Sequence, residues 1–335
     1  MARRPTAPRT GDDPAAAWLS DAERQRSALY TCRRVPIFYL AITKCGSTYL
    51  KNVMYALDHG VSHPDGEDIH ETERGLMRAS AVAPEAIRNS PYVFTVLRDP
   101  TRRFLSMYFD KIYGDGPRNF PKLREKIAER AGLDLARGLD AEAHHENCLR
   151  FVSWIGRNIA GETDLQKNYH WRPQIGRVRR VSCFPLARLT LEGLDWQLPA
   201  LLRPVEPEIG AVLAGVSERN RSAKALDPRR IISSELVAAL QEVYPRDFAI
   251  HSEAASNWRA WSRDRAGDMP VPHPDPRWMR VRSLGGQDFV AGTPAADAAL
   301  RVAGASLRDM ASDAAPRASL LVVDPLDRLW QTLVQ

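Results

Sequence analysis

The chain has 335 residues, 44% of them hydrophobic and 26% charged, which allows a substantial core and argues against wholesale disorder. Forty-seven basic against forty-one acidic side chains leave a net charge of +6, too weak over this length to indicate nucleic-acid binding. Only seven of the basic residues are Lys, so the surplus is Arg. That surplus fits either an Arg-favouring genome or recognition of phosphate and sulfate oxygens by guanidinium groups. Cys32, Cys45, Cys148 and Cys183 form no CxxC pair and no zinc-type cluster with His, which points to a reducing compartment and no metal site. No apolar run approaches the ~18–20 residues of a membrane span, and the first residues lack the apolar stretch of a secretory signal. The expectation is a soluble, cytoplasmic protein with no membrane span and no nucleic-acid partner.

In chain order, residues 1–32 read as a flexible N-terminal arm, with room for a short helix at its end. Residues 36–42 (PIFYLAI) are continuously apolar, as in a strand buried on both faces of a parallel sheet. TKCGST (43–48) is a turn, and 48–59 is an amphipathic helix with Leu50, Val53, Met54 and Leu57 in step. A polar stretch at 60–90 leaves room for a crossover helix near 72–80 or 84–90. A second unit repeats the plan: an apolar strand at 91–97, Asp99 as N-cap, Pro100 at the first helical position, then Phe104, Leu105, Tyr108 and Ile112 at helical spacing. Further on, the sequence predicts a helix at 144–156, a strand at 181–187 and a helix at 233–244. The texture changes after about 255, ending in an apolar LLVV (320–323) and a helix at 325–334. Alternating strands and helices predict an α/β fold with a parallel core sheet flanked by helices.

Ligands of such sheets sit beyond the carboxyl ends of the strands, where helix N-termini offer N–H groups and a positive dipole end. Two motifs fall there. In the first, Lys44 supplies a charge, Gly46 permits close backbone approach, and Ser47 and Thr48 supply hydroxyls at a helix start. This is an anion cradle or an ordinary capped helix start, and it is not a GxxxxGK[ST] loop. In the second, LRDPTRRFLSMYFDK (97–111), Arg98 lies at the strand end and Ser106 lies two turns into the helix. Arg98 is either a phosphate ligand or an ion-pair partner of Asp99 or Asp110.

Together the motifs resemble those of sulfotransferases that use 3′-phosphoadenosine 5′-phosphosulfate (PAPS), in particular the HNK-1 and chondroitin-type carbohydrate sulfotransferases and their bacterial relatives. TKCGSTYLKNVM (43–54) is similar to the 5′-phosphosulfate loop, including Lys51, and LRDPTRRFLSMYFDK is similar to the 3′-phosphate motif. NYHWRPQ (168–174) and YPRDF (244–248) are weaker likenesses. The loop departs from the family's usual Pro-Lys in having Thr43. The strand at 181–187 lacks a following acidic residue unless Glu192 substitutes. The resemblance implies a P-loop-NTPase-like parallel sheet over residues 33–252, with a C-terminal extension at 253–335. It implies PAPS binding through Lys44, Cys45, Gly46, Ser47, Thr48, Tyr49, Arg98 and Ser106. The nucleotide would leave as adenosine 3′,5′-bisphosphate (PAP), and the acceptor would be a small molecule or glycan.

Lys44 is suited to the leaving oxygen, and the acceptor needs a general base. His70, in GEDIHETE (66–73), is the first candidate, with a solvated His as its alternative. His170 is the second, with a His packed beside Trp171 as its alternative, and Glu73 is the third. His144 and His145 read as solvated, and Arg172 reads as a contact to acceptor or cofactor or as a surface ion pair. Two rival functions are a P-loop kinase-like enzyme and a non-catalytic nucleotide- or glycan-binding module. Acceptor specificity would lie in the loops at 60–90 and 113–145.

Overall fold

The computed structural model describes residues 14–64, 66–114, 121–216 and 227–264, together with a strand pair at 281–284 and 287–290. Helix α1 (Pro14–Arg26) leads into β1 (Leu29–Thr31), and the chain returns as β2 (Phe38–Leu40). Then come α2 (Ser47–His59), α3 (Ile69–Thr72), β3 (Met77–Arg78), α4 (Pro84–Asn89) and β4 (Val93–Leu97). Helix α5 (Pro100–Met107) runs directly into a π-helical turn at Tyr108–Tyr113, and α6 (Pro121–Ala131) and α7 (Ala141–Ala160) follow. The series continues with α8 (Gln174–Val178), β5 (Ala187–Thr190), α9 (Leu194–Leu202), α10 (Ile209–Gly215), α11 (Ser234–Val243) and α12 (Pro245–Asp264). Strands β6 (Val281–Leu284) and β7 (Gln287–Val290) form the separate antiparallel pair.

The main sheet has the order β3-β1-β2-β4-β5. Strands β2, β4 and β5 are parallel, whereas β1 is antiparallel to both β2 and β3. The expected parallel sheet is therefore a mixed one. Residues 32–37 between β1 and β2 are too few for the crossover that a parallel pair requires, so the chain can only turn back on itself. Side chains alternate across the sheet. Tyr39, Phe94, Val96 and Leu189 pack under α2, α9, α10 and α12, while Phe38, Leu40 and Val93 pack against α1 and α4. Tyr30, Tyr39 and Phe94 form a cross-strand row of stacked rings, with centroids 6.3 and 5.3 Å apart.

The helices start where their caps dictate. Asp99 accepts the Arg102 N–H at 2.9 Å ahead of α5, Asp140 accepts that of Ala143 ahead of α7, and Ser233 accepts that of Leu236 ahead of α11. Helix α2 buries Leu50, Val53, Met54 and Leu57, the stripe expected from its periodicity, and ends at Gly60 in the left-handed conformation. A second core, formed by α5, α6, α7 and α11, surrounds Phe104, Phe151, Trp154 and Trp171.

Three boundaries move. Within the arm assigned to 1–32, the described part carries α1 and β1: Ala22 and Leu29 are buried with Phe38 and Val93, and β1 belongs to the sheet. The strand expected at 181–187 lies at 187–190. Val181, which ends a 3-10 turn (Arg179–Val181), and Phe184 are buried beneath α1, next to Pro185, which has no N–H for a ladder. The boundary at 252 cuts through α12, whose fully buried Trp258 donates its indole N–H to the Arg188 carbonyl at 2.9 Å. Residues 1–13, the LLVV run and the helix expected at 325–334 lie outside the described residues. Among the described residues no helix is long and apolar enough to cross a membrane.

Because Trp258 closes the main core from beyond residue 252, Trp258→Ala should cost about 3–5 kcal/mol in urea unfolding. A loss below about 1 kcal/mol would place α12 outside the cooperative unit.

Candidate active site

The loop between β2 and α2 is fixed from below by two arginines. Arg98, at the end of β4, donates from Nη1 to the Lys44 carbonyl at 3.0 Å, and Arg103, on α5, donates from Nε to the Thr43 carbonyl at 3.1 Å. Lys44 adopts a left-handed backbone (φ 66°), a conformation that costs energy for a residue with a Cβ and is held here by its surroundings. Gly46 is also left-handed (φ 76°), and a Cβ at that position would lie 2.9 Å from Leu191 Cδ1. The neighbour that excludes a Cβ here is the Leu191 side chain, so packing within the protein already requires the glycine. Gly46 makes no side-chain cap, so the first turn of α2 begins with backbone N–H groups and the hydroxyl-bearing Ser47 and Thr48. The dipole of α2 adds positive potential at this end.

A buried polar knot joins the loop to the second motif. Gln174 accepts the Arg98 N–H at 3.0 Å, donates to the Arg98 carbonyl at 2.9 Å and accepts the Cys45 thiol at 3.2 Å. Asp247 in turn accepts the N–H groups of Gln174 and Ile175 at 2.7 and 2.9 Å. Arg103 Nη2 donates to the carbonyls of His170 and Arg172, and the Tyr244 hydroxyl donates to that of Trp171. The segments 168–174 and 244–248, the weaker likenesses in the sequence, thus tie the two strong motifs together. The sequence signals Gln174 and Asp247 only by their membership of those segments, and Arg103 only by its place in the 97–111 motif.

The Lys44 ammonium pairs with the Asp110 carboxylate, which also holds Lys111 at 3.2 Å. Burial pushes the Lys44 pKa down, and Asp110 opposes it. Cys45 points inward: its N–H bonds the Ile42 carbonyl, and burial pushes its thiol up to about 11, so it anchors the loop. Tyr49 packs, half-buried, against the main core. Burial lowers the Arg98 pKa, and its guanidinium lies against the loop instead of pairing with Asp99, which caps α5. Ser106 is half-buried on α5, one helical turn beyond Arg103. Glu192 follows β5 and accepts the Asp99 N–H at 3.2 Å while holding His251 at 3.0 Å.

The candidate bases separate. His70 is exposed, and its Nε2 lies 2.7 Å from Thr48 Oγ1, so α3 delivers it to the start of α2. His170 is buried, and its Nδ1 donates to Asn168 Oδ1 at 2.8 Å. Burial, then the charges of Lys111 and Lys44, lower it to about 3, so it stays neutral at working pH. Glu73, the third candidate, is committed to a network. It accepts from Lys51 at 2.9 Å, from Arg78 at 2.8 Å and from the Tyr30 hydroxyl, and Arg78 lies 3.7 Å from the Tyr30 ring centroid. His144 is buried rather than solvated, with Nδ1 3.0 Å from the Tyr108 hydroxyl, because α7 turns it into the helical core. His145 is half-buried, with Nε2 2.7 Å from Ser233 Oγ. Arg172 is exposed and donates to the Lys167 carbonyl at 2.9 Å.

Residues 27–187 match the family model described as Sulfotransferase family, and that region, which contains the loop, both strand ends and the 168–174 segment, belongs to the family. The architecture is accordingly the P-loop-like α/β fold of sulfotransferases, with a five-stranded mixed sheet. The chain matches no curated protein and no solved structure.

The Glu73 network makes a pH-dependent prediction. Burial alone would raise the Glu73 carboxyl, but Lys51, Tyr30 and Arg78 pull it from 4.5 to about 2. Because the folded value lies below the unfolded one, its stabilising effect is complete above 4.5 and is lost as pH falls towards about 2. Glu73→Gln should therefore be less stable than wild type at pH 7 in urea titrations, with the difference closing across that acid window. A pH-independent difference would exclude the ionised network as its source.

Proposed function

We propose that this chain is a PAPS-dependent sulfotransferase. It would move a sulfuryl group from 3′-phosphoadenosine 5′-phosphosulfate to a hydroxyl or amine of a carbohydrate or carbohydrate-containing acceptor. The observation that carries this reading is the 3.0 Å bond from Arg98 to the Lys44 carbonyl. It locks cations from two strand ends into one assembly, suited to a single ligand with two anionic ends. The residues fit such a nucleotide. Lys44 brings charge, and α2 brings N–H groups and hydroxyls for one end. Arg98 and Ser106 serve the other.

When bound, the donor supplies an activated sulfuryl group and a good leaving phosphate. Lys44 and the start of α2 provide preorganised positive charge at the loop. His70, oriented through its 2.7 Å contact with Thr48, takes the acceptor's proton. His170, held neutral and bonded to Asn168, lines the same cation cluster as a fixed polar group. Positioning and electrostatics supply the rest, as in related group transfers.

Transfer of labelled sulfate from PAPS to a panel of sugars and small alcohols tests this. Lys44→Ala should abolish transfer, and Arg98→Ala should act chiefly by raising the KM for the donor. His70→Ala should lower kcat by roughly 10²–10⁴ with a smaller effect from His170→Ala. Undiminished transfer in the Lys44 or Arg98 variant would refute the assignment, and full rate in His70→Ala would remove it as the base. Thermal shift adds a second readout, because a ligand of the folded state raises the melting point. A response to PAP supports the reading, and a response to ATP with Mg²⁺ alone supports a kinase-like enzyme. A response to PAP with no transfer to any acceptor supports a binding module.

A further inference from the structure

The π-helical turn that extends α5 carries two residues with no part in the mechanism so far, Asp110 and Lys111. Such turns are rare and concentrate at functional sites. Here the turn brings a carboxylate between two ammonium groups. Oδ2 of Asp110 pairs with Lys44 Nζ and also with Lys111 Nζ at 3.2 Å. The Lys side chains are only 17% and 9% exposed, so neither charge can rely on water for compensation.

One carboxylate oxygen shared by two cations has a physical consequence. An anion that takes the Lys44 ammonium must displace Asp110, and a displaced, half-buried carboxylate needs a new partner or it repels the incoming charge. Lys111 is already at bonding distance. We infer that Asp110 is a positioning residue that holds Lys44 at the loop and hands it to an incoming anion by shifting onto Lys111. This inference rests on the proposed function, with the nucleotide's 5′ end as the anion. It agrees with the electrostatics: burial pushes Lys44 down, Asp110 raises it and Lys111 lowers it.

The hand-over gives a double-mutant cycle with a defined sign, measured by calorimetric titration of PAP into the full chain. Asp110→Asn removes the competing carboxylate, so PAP should bind roughly threefold to tenfold tighter. At the same time kcat should fall about tenfold, because Lys44 loses its positioning partner. Lys111→Met strands Asp110 on Lys44 and should weaken PAP binding by about tenfold, yet have little effect in the Asp110→Asn background. Weaker PAP binding in Asp110→Asn, or an equal effect of Lys111→Met in both backgrounds, would overturn the inference.

A ligand-free readout separates this inference from the proposed function. The chain has only seven Lys, so the ε-carbon signal of Lys44 can be assigned by substitution and titrated by NMR. It should titrate at lower pH in Asp110→Asn and at higher pH in Lys111→Met. Failure of PAP to bind the wild type would refute the proposed donor, whereas unchanged Lys44 titration in both variants would refute the shared carboxylate, whatever the nucleotide does.

Discussion

One buried amide sets the geometry of this molecule. The Gln174 side chain bonds both backbone groups of Arg98 and accepts the Cys45 thiol, so the end of β4 and the loop after β2 cannot move independently. Gln174 is fully buried, and Asp247 holds its own N–H. An amide or carboxylate left unsatisfied at such a depth costs free energy out of proportion to one bond, which makes the knot a rigid reference point. The two cations of the site inherit their separation from it.

The site is built by directing the loop's carbonyls downwards. Arg98 and Arg103 take the carbonyls of Lys44 and Thr43, and the left-handed backbone at Lys44 and Gly46 follows from that inversion. What remains at the mouth is a helix start, two hydroxyl residues and an ammonium paired with the Asp110 carboxylate. Around it, the Lys51–Glu73–Arg78–Tyr30 network ties α2 to the sheet edge and fixes the short segment that carries His70 to Thr48. Lys51, whose charge serves this network, and Lys44, the cation of the proposed chemistry, thus lie within a few residues of each other, one in α2 and the other in the loop before it.

Elements with a strong local signature were legible in the sequence. PIFYLAI and PYVFTVL are apolar enough to announce buried strands, and Asp99-Pro100 and the serine before α11 announce helix starts. Strands β1 and β3 were not legible, because three and two residues are too short to show alternation. The 181–187 run misled for a physical reason: Val181 and Phe184 are apolar because α1 covers them, not because they are extended. Helix α12 has a weak signature because a mostly polar sequence is anchored through a few residues, Trp258 above all. In the site, Lys44, Gly46 and Arg98 stand out by residue type at a strand end. Gln174 and Asp110 do not, because their partners are 76 and 66 residues away and leave no periodic trace. The likeness of a family motif marked the neighbourhood of these residues, and only the fold shows what each one touches.

The central claim is that one nucleotide spans both strand ends, and its two phosphorus nuclei report on it separately. In a ³¹P NMR titration of the full chain with PAP, both phosphate signals should shift in the wild type. In Arg98→Ala at saturating protein, the 3′ signal should return towards its free position while the 5′ signal still responds, and Lys44→Ala should show the reverse. Signals that move together in every variant, or that fail to move in the wild type, would contradict the account.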